Sequence, residues 1–121
     1  MRRRPFALSL LAAAAFQPWP ARAQTWPARP LRLVIPFPPG GATDIIGRLL
    51  AQKLGAALGQ QVVVDNKPGA GGSLGADLVA KAPADGHTIL LSTSSTHSIG
   101  PALNPKLPYD AFRDFTPVAM V

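Results

Sequence analysis

The stretch Leu31-Arg32-Leu33-Val34-Ile35-Pro36-Phe37-Pro38-Pro39-Gly40-Gly41-Ala42-Thr43-Asp44 decides the fold. Leu31 to Pro36 is apolar apart from Arg32, as expected of a strand covered on both faces. Pro38 to Gly41 breaks the run, and the period then changes. Ile46, Leu50, Leu54 and Leu58 recur every four residues, with Ile45 and Leu49 beside them and Arg48, Gln52 and Lys53 on the other side. That spacing predicts a helix over Asp44 to Leu58, with Thr43 or Asp44 suited to cap its start and Gly59 to end it. A strand that turns through glycines into a helix leaves backbone N–H groups facing outward at the positive end of the helix dipole, a ready site for an anion.

The same arrangement recurs downstream. Gln61 to Asn66, with three consecutive valines, predicts a second buried strand, and Pro68-Gly69-Ala70-Gly71-Gly72 a second glycine loop. Ser73 to Ala82 reads as a short helix with Leu74, Leu78 and Val79 inward, stopped by Pro83. Asp85-Gly86 is a turn, Thr88 to Leu91 a third strand, and Ser92 to Thr96 a run of hydroxyl residues directly beyond it. Ile99 to Leu103 is expected as a helical turn, Asn104 to Asp114 as a surface connection, and Thr116 to Val121 as the start of a fourth strand. The order βαβαβ implies parallel strands with right-handed connections, hence the α/β class. In such a sheet all three strand ends lie on one edge, where small ligands are usually held.

Upstream, Gln24 to Pro30 is an extended lead-in. Before it, Arg2-Arg3-Arg4, the apolar stretch Pro5 to Phe16 and the small-x-small Ala21-Arg22-Ala23 make residues 1–23 a signal peptide. Arg3-Arg4-Pro5-Phe6-Ala7-Leu8 partly resembles a twin-arginine signal, with ordinary secretion the preferred route. The formal charge of the 121 residues is +6. Four of the twelve basic residues and none of the six acidic ones lie in the leader, so the remainder holds eight against six, a net of +2. The basic character thus belongs mostly to the leader, and nucleic acid is not favoured as a partner. Val118-Ala119-Met120-Val121 reads as a strand cut short, the pattern expected of a fragment.

Enzyme motifs are largely missing. With no cysteine, disulfides and thiol chemistry are excluded. There is no Gly-Lys-Ser/Thr phosphate loop and no Gly-x-Ser-x-Gly elbow. Gly69, Gly71 and Gly75 approach a dinucleotide fingerprint, but no acidic residue ends the next strand for a ribose. His87 and His97 fall at opposite ends of one strand and make a poor metal site. What remains are glycines that admit a ligand to the backbone, helix N-termini, and uncharged hydroxyl donors, a set suited to a carboxylate. Asp44 has two readings: a helix cap, or a receiver for a ligand ammonium group or bridging water. His97 is either a ligand contact or an exposed loop residue.

The stretch from Arg32 to Asp44 resembles the opening signature of the tripartite tricarboxylate transporter substrate-binding proteins, the Bug family. Val62-Val63-Val64-Asp65-Asn66-Lys67-Pro68-Gly69-Ala70-Gly71-Gly72 is similar to its second signature. Ala84-Asp85-Gly86-His87-Thr88, and Leu107-Pro108-Tyr109-Asp110 followed by Arg113-Asp114-Phe115-Thr116-Pro117-Val118, resemble two more blocks. Gly100 stands where the family commonly has Asn, and His87 where Tyr is frequent.

The resemblance implies a type II-like periplasmic binding protein fold, with residues 24–121 forming the parallel βαβαβ portion of a first lobe and the second lobe absent. It implies a periplasmic, monomeric protein that captures a small organic carboxylate for membrane permease subunits, without catalysis, cofactor or metal. Its binding loops would be Phe37 to Thr43, Gly69 to Gly72 and Ser92 to His97. The candidate set is thus Phe37, Pro39, Gly40, Gly41, Thr43 and Asp44; Gly69, Ala70, Gly71 and Gly72; and Ser92, Thr93, Ser94, Ser95, Thr96 and His97. Two other classes stay open: an exported α/β hydrolase-like enzyme using Ser92 or Ser94 with His97, and a carboxylate sensor with a signalling partner.

Overall fold

A computed structural model describes residues 23–121; the signal-peptide reading of the leader falls on residues outside that range, except Ala23. Three strands, β1 (Leu31–Ile35), β2 (Val62–Asn66) and β3 (Thr88–Leu90), form a parallel sheet in the order β2-β1-β3. Leu33 pairs with Val64 on one side and Ile89 on the other. The expected α/β class with parallel connections is what the chain adopts.

Alternation along β1 builds two cores. Leu33 and Ile35 face helix α1 (Ala42–Leu58) and pack with Ala51, Leu91, Val62 and Val64. The opposite face is covered by helix α2 (Ser73–Ala80) and the segment from Leu107 to Phe115, where Ala76, Tyr109 and Ala111 are buried against Leu90. Leu33, Val34 and Ile35 are wholly buried. Each such side chain contributes about 1.5–3 kcal/mol of hydrophobic stabilisation. Arg32 is the exception on β1 and reaches sideways to Asp65 on β2.

Several expectations are corrected. Helix α1 starts at Ala42 with Gly41 as its N-cap and no side-chain cap, so neither Thr43 nor Asp44 caps it; Gly59 does end it in the left-handed conformation. The helix buries Asp44, Gly47 and Ala51, while Ile45, Ile46 and Leu49 are exposed. Close approach is the reason. A Cβ on Gly47 would collide with Ile35 Cδ1, so the smallest residues lie closest to the sheet. In α2 the same holds: Gly75 and Ala76 are buried, and Leu74, expected inward, is exposed.

Strand β2 is an edge strand, half-open rather than buried. The hydroxyl run is partly helical, because a π-helical turn at Ser95–Ile99 leads into helix α3 (Gly100–Leu103). Asn104 to Asp114 is not wholly a surface connection, since Tyr109 and Ala111 enter the second core. No strand forms from Thr116 to Val121: Met120 is 100% exposed, and without a ladder partner the apolar residues there gain nothing from extension.

Candidate ligand-binding edge

All three parallel strands end on one side of the sheet, and the loops that follow them meet there. Gly72 marks the junction. It lies in the left-handed region at φ +94°, and a Cβ there would stand 2.7 Å from Thr96 Cγ2, 3.3 Å from Phe37 Cζ and 3.5 Å from Pro36 Cβ. One glycine therefore touches the first and third loops at once. Of the candidate residues, Phe37, Gly72 and Thr96 are brought together at this point.

The first loop contains Pro38 and Pro39, which have no N–H to offer. Side chains hold two of its backbone groups, Phe37 O and Gly40 N. Asp44, only 4% exposed, accepts from Gly40 N at 3.0 Å and Arg48 Nε at 2.9 Å through Oδ2, and from Asn66 Nδ2 at 3.0 Å through Oδ1. Asn66 Nδ2 also donates to the Phe37 carbonyl at 3.1 Å. The hydrogen bond from Arg48, then those from Gly40 and Asn66, hold the Asp44 carboxyl down at about 2. Asp44 is thus not the helix cap that one reading expected; its carboxylate is held inside the protein by Gly40, Arg48 and Asn66.

The second loop is a tight 3-10 turn, Ala70–Gly72, that opens into α2. Ala70, Gly71 and Gly72 all have positive φ, and Ala70 at +49° is a non-glycine residue in that region, a conformation that costs free energy and clusters at functional sites. Gly72 N donates to Gly69 O at 2.9 Å, and Ser73 Oγ to Ala70 O at 2.8 Å.

In the third loop, Thr96 is buried and its hydroxyl is fully used. It donates to Thr93 O at 2.9 Å and accepts from Thr93 N at 3.1 Å. With its proton so committed, it accepts from His97 Nδ1 at 3.0 Å, which fixes the imidazole tautomer with hydrogen on Nδ1. Burial holds His97 below the usual imidazole range, so it is neutral at pH 7. Its ring packs edge-on against Phe115 at 4.8 Å, so His97 is not a free loop residue. Thr93 Oγ1 and Ser95 Oγ are 2.8 Å apart. Among the described residues neither Ser92 nor Ser94 is hydrogen-bonded to His97, so no nucleophile–base pair is formed.

Four contributors escaped the sequence reading. Asn66 and Arg48 anchor the first loop, and Tyr109 and Phe115 brace the third. Tyr109 Oη donates to the Thr96 carbonyl at 2.6 Å, and burial pushes the phenol up from its ordinary value. Alternation offered one signal: Val62, Val64 and Asn66 share a strand face, so an amide stands where apolar residues precede it. A further groove, about 800 Å³ and open to solvent, lies between α1 and β2. Arg48, Gln52, Gly55 and Val62 line it, and no candidate residue does.

Residues 46–121 match the family described as tripartite tricarboxylate transporter family receptor. "Protein BugT" of Bordetella pertussis is 52% identical over 103 residues, which cover 84% of this chain and 32% of that protein. Among solved structures, MatC from Rhodopseudomonas palustris with bound malate is 44% identical at a TM-score of 0.74, matching 77% of this chain and 32% of its own. The periplasmic binding protein BugD is 42% identical at a TM-score of 0.71, matching 74% of this chain and 30% of its own. The chain spans about a third of the length of each of these relatives.

Proposed function

From the premise that this chain belongs to the tripartite tricarboxylate transporter receptor (Bug) family, we propose that residues 24–121 are part of the first lobe of a periplasmic solute-binding protein. Residues 1–23 are its export signal, and ordinary secretion its route. The protein captures a small organic carboxylate and hands it to membrane permease subunits, acting as a monomer without catalysis.

One observation carries this reading. Three loops converge at Gly72 on the carboxyl edge of the parallel sheet, and the candidate residues contain no lysine or arginine. A carboxylate at that edge meets backbone N–H groups and hydroxyls, oriented donors that satisfy its lone pairs without a salt bridge. Neutral donors suit reversible capture, because release does not require separating a buried ion pair. The relative with bound malate supports the ligand class. The candidate contacts are the other fifteen residues of the candidate set, with Asp44 supporting the first loop from within.

Calorimetric titration of the full-length gene product with malate and a panel of other di- and tricarboxylates tests the reading. Saturable one-to-one binding is expected, weakened by Ser95→Ala and by Thr93→Val with no turnover of ligand. Absence of binding across the panel, or ligand turnover that depends on Ser92 or Ser94, would sink it.

A further inference from the structure

We propose that Asn66, supported by Arg48, is a positioning residue that holds the first loop in its ligand-binding geometry by anchoring the Asp44 carboxylate. The inference rests on the carboxylate-capture reading and names residues outside the candidate contact set.

The first loop cannot hold itself. Between Phe37 and Gly40 the two prolines supply no N–H, and Gly40 adopts φ +90°, a conformation that many alternatives compete with in a free chain. Two of its backbone groups, Phe37 O and Gly40 N, are held by side chains that lie outside it. Asn66 Nδ2 bridges Phe37 O at 3.1 Å and Asp44 Oδ1 at 3.0 Å, while Asp44 Oδ2 takes Gly40 N at 3.0 Å. One amide therefore ties both ends of the loop, directly at one and through Asp44 at the other.

Arg48 closes the network. Its Nε neutralises Asp44 at 2.9 Å from the next turn of α1, and its Nη2 reaches Asn66 Oδ1 at 3.4 Å. Asn66 is also the last residue of β2, opposite Ile35, and Lys67 N extends the ladder to Ile35 O at 2.8 Å. The clamp is thus built where the first and second loops leave the sheet. It fixes their spacing, which a bidentate carboxylate would have to match. Asn66 need not touch ligand to govern affinity.

The test uses the full-length gene product with two variants and two readouts. Asn66→Ala removes both donors. Asn66→Asp keeps the shape but sets a second carboxylate against Asp44 Oδ1. Hydrogen exchange of the Gly40 amide in the ligand-free protein reads the clamp itself. Malate titration reads its consequence for binding.

In Asn66→Ala the Gly40 amide is expected to exchange faster, with affinity falling about tenfold, the order expected for losing an interaction to a charged group. In Asn66→Asp affinity is lost at pH 8 and recovers relative to the parent toward pH 5, because two adjacent carboxylates raise the proton affinity of one and the protonated acid can donate again. A residue with a merely structural role would not give that recovery. Unchanged Gly40 exchange in folded Asn66→Ala, or affinity within about twofold of the parent, overturns the proposal. If the parent itself binds none of the carboxylates, the functional reading fails instead, and Gly40 exchange still decides whether the clamp exists.

Discussion

Replacing Gly72 by alanine separates the two reasons a glycine stands there. The first is conformational: at φ +94° an L side chain is strained, at about 1–2 kcal/mol. The second is steric. The new Cβ would lie 2.7 Å from Thr96 Cγ2, and that methyl cannot swing away, because the Thr96 hydroxyl is pinned by Thr93 O, Thr93 N and His97 Nδ1. Phe37 and Pro36 close the remaining sides. Overpacking of this kind costs about 1–3 kcal/mol. Gly59→Ala is the matched control: its φ is +67° with nothing within 4 Å, so it carries the conformational cost alone. Both changes are glycine to alanine, so their effects on the unfolded chain cancel in the difference.

Urea denaturation of the two full-length variants, followed by circular dichroism, is therefore expected to place Gly72→Ala about 1–3 kcal/mol below Gly59→Ala. The comparison requires equal m-values, so that only stability has changed. A difference under about 0.5 kcal/mol would refute the reasoning, because the three loops would then not be packed on one another at this glycine. Stability, rather than affinity, is the decisive readout, since Gly72 belongs to the proposed contact set.

Asp44 is held at about 2 in the folded chain against an unfolded value of 3.8, so its contribution is fully present above pH 4 and is lost as pH falls through 3.8 toward 2. Asp44→Asn is accordingly expected to be less stable than the parent at pH 6, with the gap narrowing between pH 4 and pH 2 in urea midpoints; a constant gap would show that its charge is not what matters. Asp65, Asp85 and Asp110 are also lowered and remain in the variant, so its stability still declines with acid. Tyr109→Phe leaves the Thr96 carbonyl without its 2.6 Å partner while keeping the ring in the core. It is expected to cost about 1–2 kcal/mol in the same denaturation assay, and no loss would mean the hydroxyl does not brace the third loop.

What the sequence made legible was whatever local chemistry dictates. Strand β1, the end of α1 at Gly59 and the glycine turns follow from periodicity and from residues that permit unusual backbone conformations. The convergence of three loops followed from topology, because parallel strands must end on one side. Distances between elements were not legible. The stripe Ile46, Leu50, Leu54 and Leu58 has the right period, and Leu50 does pack on the core. Yet Ile46 and the flanking Ile45 and Leu49 are exposed, and the helix buries Gly47 and Ala51, since short residues let backbones approach. Periodicity identifies a helix without saying which of two adjacent faces wins.

The same limit explains Asn66 and Tyr109. Each acts across more than ten residues of sequence, Asn66 on Phe37 and Tyr109 on Thr96, and composition carries no trace of such pairings. A loop rich in proline and glycine has few hydrogen bonds of its own, so its shape must be set by side chains elsewhere. Such a loop is therefore only half described by its own residues. Its shape depends as much on polar groups outside it, and in this chain those are Asn66 at the end of β2 and, through Asp44, Arg48 on α1.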